Sequence, residues 1–109
     1  MTYKLFHVGI RPESPVDREA LERAFDTAGD WLRLNEFNWY VWTRQSAVHL
    51  TALLQPLVGP NSSIVILQID TSANSDRWGL APRAVWDWIN DKRDQSLLGA
   101  QDRDAGGHG

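Results

Sequence analysis

The chain has 109 residues, a net charge of −3 from 11 Lys and Arg against 14 Asp and Glu, and no cysteine. That length suits one domain, and the missing thiols exclude disulfides and cysteine-held zinc or iron–sulfur centres. The acidic balance argues against a broad basic footprint for nucleic acid. No stretch nears the ~20 apolar residues of a membrane span, and residues 1–10 lack a secretory-signal pattern, so a soluble, cytoplasmic protein with no membrane partner is expected.

Residues 3–10 (YKLFHVGI) alternate at period two, with Phe6, Val8 and Ile10 on one side and Leu5, His7 and Gly9 on the other, which predicts a strand closed by Pro12. Ser14-Pro15-Val16-Asp17 reads as a helix start with Ser14 as cap; Leu21, Ala24, Phe25 and Ala28 follow on one face, and Gly29 ends the helix. Residues 30–44 are rich in aromatic and β-branched side chains. They predict two antiparallel strands joined through the polar stretch at 35–38.

Ser46 is placed to cap a second helix whose buried stripe is Leu50, Leu53, Leu54 and Leu57, ended by Gly59-Pro60. Residues 63–69 (SIVILQI) form a nearly unbroken apolar run, which predicts a central or doubly covered strand. A polar loop at 70–81 leads to a third helix opened by Pro82, with Val85, Trp86, Trp88 and Ile89 as its apolar residues. Trp86 and Trp88 stand two apart and cannot share one helix face. The order is β-α-β-β-α-β-α. It implies an α+β fold: a ferredoxin-like βαββαβ four-stranded antiparallel sheet with two helices on one face, plus a C-terminal third helix. Residues 1–94 are expected to form that single domain and residues 95–109 a disordered polar tail.

With Phe6, Val8, Ile10, Leu32, Leu34, Trp39 and Val41 turned toward the helices, the opposite sheet face carries Leu5, His7, Trp31, Arg33, Tyr40 and Trp42, with one set of the 64–69 run. Such a face is too apolar for water. It can be covered by the same face of a second subunit, by the third helix, or by stacked bases of a single-stranded nucleic acid. The homodimer is preferred, because the chain is acidic and lacks the basic, glycine- and aromatic-rich strand of RNA-recognition motifs.

Catalytic residues are not evident. His7 and His49 are the only histidines outside the terminal His108, and neither has a sequence-local nucleophile arrangement around it. Asp87 and Asp91 share a helix face with Arg83, Lys92 and Arg93 interleaved, the pattern of a salt-bridged surface. No metal or other cofactor is expected. Asp70, at the end of the last strand, is a metal-ligand candidate only if the chain is a nuclease.

Gly29-Asp30-Trp31 followed by Trp39-Tyr40-Val41-Trp42-Thr43 resembles the hairpin of small bacterial ferredoxin-fold proteins of the SinR family, which are distinct from the helix-turn-helix regulator of that name. Ser46-Ala47, Leu54-x-Pro56-Leu57, Val65-x-Leu67-x-Ile69, Trp78-Gly79-Leu80 and Val85-Trp86-Asp87-Trp88 extend the resemblance over about residues 3 to 92. The family is similar in fold to CRISPR-associated dimeric ferredoxin-fold nucleases and VapD-type ribonuclease toxins, which pair through their sheets and hold a metal on an aspartate ending the first strand. That strand here ends Val8-Gly9-Ile10, without a carboxylate. The resemblance therefore implies the dimer and not the nuclease. A non-enzymatic homodimeric scaffold or binding protein is the expected function, with a metal-dependent nuclease or a single-stranded nucleic-acid binder as alternatives.

Overall fold

The computed structural model of the chain describes residues 2–72 and 83–106, with side chains described as far as residue 95. Its elements are β1 (Lys4–Arg11), α1 (Arg18–Ala28), β2 (Gly29–Asn35), β3 (Asn38–Thr43), α2 (Ala47–Val58), β4 (Ser63–Ile69) and α3 (Arg83–Gly106). The four strands form one antiparallel sheet in the order β2-β3-β1-β4. Each helix crossover thus skips one strand, α1 leading from β1 to β2 across β3 and α2 from β3 to β4 across β1. This is an α+β fold with the strand order of a ferredoxin-like sheet.

The described residues divide into two compact units, one spanning residues 3–69 and the other holding Thr2 with the described residues from 70 onward. In the first unit, period-two alternation turns Val8, Ile10, Trp39 and Val41 to one side of the sheet. There they close on Leu21 and Phe25 of α1 and Leu54 and Val58 of α2. Trp39 is fully buried, its ring 5.2 Å from that of Phe25, and its indole N–H donates to Glu22 at 3.3 Å. Burying an indole with its N–H paired keeps the aromatic gain without stranding a donor.

The helix ends differ in detail from expectation. Asp17, not Ser14, caps α1, its carboxylate accepting from the Ala20 N–H at 3.2 Å. Val16 then stands just before the cap and packs on the core that contains Leu21, the position pair of a hydrophobic staple. Ser46 caps α2 as expected, accepting from the His49 N–H at 3.1 Å. The buried stripe of α2 is Leu50, Leu54 and Val58, one residue every helical turn, while Leu53 is exposed and Leu57 half-buried. Gly59 ends it at φ 87°, a backbone conformation that suits glycine.

Two sheet-level expectations are corrected. The 63–69 run is not a central strand: β4 lies at the sheet edge, paired only with β1 among the described residues. A run apolar on both faces says nothing about how many strands flank it. On β2, Trp31 and Arg33 stand opposite Val41 and Trp39, so they share the helix side, and Leu32, opposite Tyr40, takes the other.

In the second unit, α3 runs to Gly106, well into the stretch expected to be a disordered tail. Trp86 and Trp88 are both half-buried, and Ile89 and Lys92 are buried. Asp87 pairs with Arg83 at 3.7 Å as on a charged surface, while Asp91 accepts from Gln95 at 2.8 Å and lies 3.7 Å from the ammonium of the buried Lys92. The loop at 73–82, with Trp78 and the Pro82 helix start, and the terminal His108 lie outside the described residues.

Candidate functional site

The face of the sheet turned away from α1 and α2 is built by the other phase of each strand. Cross-strand register places Leu5 between Trp42 and Ile69, and His7 between Tyr40 and Leu67. Of the six residues expected there, Leu5, His7, Tyr40 and Trp42 are brought together. Trp31 and Arg33 are not. The Trp31 ring instead packs 6.3 Å from Phe25 on the helix side, and its N–H donates to Asp26 at 2.7 Å.

The face has two parts of different character. At one end Leu5 is 1% and Trp42 6% exposed. The Tyr3 ring stacks on Trp42 at 5.5 Å and the Arg44 guanidinium lies 5.0 Å over Tyr3, so the Trp42 ring offers no free surface for a base. At the other end, Val65 and Leu67 on β4 are 55% and 60% exposed. These two residues carry the uncovered apolar surface of the face, and both come from the run first expected to be central.

Beside Val65 and Leu67, in the same cross-strand rows, lies a polar relay. The Asn35 side-chain oxygen accepts from the Phe37 backbone N–H at 3.3 Å and from the Asn38 amide at 2.8 Å. That fixes the orientation of Asn38 and aims its oxygen at His7 Nε2, 3.1 Å away. His7 Nε2 is therefore the donor in this bond. Gly9 makes room, since a Cβ there would press on the Asn38 oxygen at 3.3 Å. The half-buried imidazole meets the Tyr40 ring edge-on at 5.9 Å. With its ring oriented by Asn38 and no hydroxyl or carboxylate among the groups hydrogen-bonded to it, His7 stands as an oriented hydrogen-bonding group rather than half of a nucleophile–base pair.

Ser46 and His49 do make a serine–histidine contact, 3.0 Å from hydroxyl to Nδ1. The same hydroxyl accepts from the His49 backbone N–H, so the pair closes the first turn of α2. The adjoining concavity of about 350 Å³ is lined by Thr27, Ala28, Gln45, His49, Ala52 and Leu53 and supplies no carboxylate to orient the ring. Asp70 accepts from the Ser72 backbone N–H at 2.8 Å. Hydrogen bonds from the Ser72 backbone and then its hydroxyl hold the Asp70 carboxyl below its ordinary pKa. Among the described residues, no three His, Asp or Glu side chains stand together as metal ligands, and no helix is long and apolar enough to cross a membrane.

Alternation alone gives Asn38 and Asn35 only as turn formers. It assigns one set of the 64–69 run to this face, and the register of Val65 with Gly9 and Leu67 with His7 shows which set it is. Compared with models of protein families, with characterised proteins and with solved structures, the chain matches none.

Proposed function

We propose that this chain is a non-enzymatic, homodimeric scaffold or binding protein that uses the side of its sheet turned away from α1 and α2. The observation that carries this is the Val65–Leu67 row, two large apolar side chains more than half exposed on one face of a strand. Contiguous apolar side chains left in water are a feature of partner surfaces, and here two stand together on a strand edge. The resemblance to the SinR family, whose fold relatives pair through their sheets, points the same way. The capping role of the Ser46–His49 pair and the Ser72-held Asp70 give no support to a hydrolytic or nuclease site.

Sedimentation at micromolar concentration tests the proposal. A dimer should have twice the 12.4 kDa chain mass. A species of 12.4 kDa at all concentrations would remove the basis for it, and chelator-sensitive cleavage of RNA or DNA lost in Asp70→Ala would favour the nuclease.

A further inference from the structure

The backbone of β4 can be read for direction. The Ile10 N–H donates to the Phe37 carbonyl at 2.9 Å, so Ile10 turns its backbone groups toward the β3 side of β1. Successive residues of a strand turn these groups to opposite sides. Leu5, His7, Gly9 and Arg11 therefore bond toward β4, and their partners there are Ile69, Leu67, Val65 and Ser63. The other residues of β4, Ile64, Ile66 and Gln68, point their N–H and C=O groups away from the sheet, where no strand lies among the described residues.

This outward edge lacks the usual protections. The strand Ser63–Ile69 has no charged residue, no proline and no register shift against β1. Natural sheets blunt their edges with such devices because an open ladder templates pairing. The opposite edge of the same sheet has them: β2 carries Asp30 and Arg33 and a register irregularity between Arg33 and Asn35.

We propose that two copies of this chain join edge to edge through antiparallel β4 strands, about a twofold axis at Ile66. The inference rests on the homodimer proposed above and specifies its contact. An antiparallel self-pairing about one point is the isologous arrangement that closes at two subunits. Centring it on Ile66 overlaps the whole strand, because Ile66 is the middle residue of Ser63–Ile69. It also matches outward groups with outward groups: Ile66 meets the partner's Ile66, and Ile64 meets the partner's Gln68, each pair able to exchange two hydrogen bonds. The same register sets Val65 opposite the partner's Leu67 at the closely spaced, non-bonded positions. The two exposed apolar side chains of each copy thus meet in one cluster on the sheet face turned away from α1 and α2. No like charges face each other, since the strand is uncharged.

Gln68 separates this contact from face-to-face stacking. It is exposed, and its N–H points outward, so Gln68→Pro removes an edge donor while sparing the bonds to β1. On the full chain, the dimer dissociation constant should rise about a hundredfold or more in Gln68→Pro, while Gln68→Ala stays dimeric. Amide exchange in the unmodified dimer gives an independent reading: Ile64, Ile66 and Gln68 amides should be protected alongside those of Val65, Leu67 and Ile69. A wild-type dimer whose Ile64, Ile66 and Gln68 amides exchange freely, or which survives Gln68→Pro, would overturn edge pairing and leave the homodimer standing. A wild-type monomer would overturn both.

Discussion

β2 and β4 close opposite sides of one sheet, yet they are held there by different means. β2 leaves α1 without a linker: Gly29 both ends the helix and begins the strand, opposite Thr43. The Thr43 hydroxyl donates to the Ala28 carbonyl at 2.7 Å and accepts from the Gln45 N–H at 3.0 Å, so one buried side chain ties that corner to the start of α2. Trp31 anchors the helix side of β2 through Asp26. β4 has no such side-chain ties in its length and shows two bare apolar residues to solvent. A strand completed within its own chain can carry charge and a bulge at its edge. A strand left neutral and regular is suited to being completed by another.

If β2 is fixed by close packing and β4 is not, the largest single effect should come at Gly29. A Cβ there would run into the backbone oxygen of Trp42. That atom cannot move without disturbing the β2–β3 pairing, so Gly29→Ala should cost about 3 kcal/mol or more in urea denaturation. A cost below about 1 kcal/mol would mean the corner is loose and the contrast between the edges is weaker than described.

A second pair of substitutions compares a packed residue of one edge strand with a bare residue of the other. Trp31→Ala removes a half-buried ring and leaves Asp26 without its donor, and should lower stability by about 2–3 kcal/mol. Val65→Ala, measured at a dilution where the chain is monomeric, should change stability by about 0.5 kcal/mol or less, because most of that side chain already lies in water. Equal losses at the two sites would show that β4 is as fully packed within the monomer as β2.

Much of this fold is legible in the residues. Period-two alternation places β1 and β3 and their inward sides, and the Ser46 cap and Gly59 stop bound α2. The phase of β2 is not legible. Leu32 and Leu34 look more like core than Trp31 and Arg33 do, but the pairing of Trp31 with Val41 puts the tryptophan inward, where the Asp26 carboxylate satisfies its N–H. That choice depends on a partner five residues upstream on a helix, which alternation does not report. β4 fails for another reason: an apolar run records the chemistry of two faces and carries no information on the count of neighbours. The His7–Asn38–Asn35 relay was half visible, since His7 could be assigned its face, but its orienting amides look like any polar turn.

The smallest expected effect lies where β4 ends. Asp70 is the first charged residue after the uncharged strand and is fully exposed, and it folds back to accept from Ser72. Its folded pKa lies below the ordinary 3.8, because the Ser72 backbone bond, then the Ser72 hydroxyl, favours the carboxylate. A depressed folded value means the turn gains from the charge only above the ordinary carboxylate range. The gain is complete at neutral pH and is lost as pH falls through the lowered value. In the register centred on Ile66, Asp70 falls opposite the partner's Ser62, so its charge does not oppose its own copy across the twofold. Titration should therefore be confined to the turn. The Ser72 amide resonance should shift with a midpoint below 3.8, while the Leu67 and Ile69 amides stay unmoved through that range. In Asp70→Asn, which keeps an acceptor oxygen without the titrating proton, the Ser72 shift should become independent of pH. If the amides of β4 instead move together with Ser72, the end of the strand depends on that charge, and β4 is held in its own chain more firmly than its bare edge suggests.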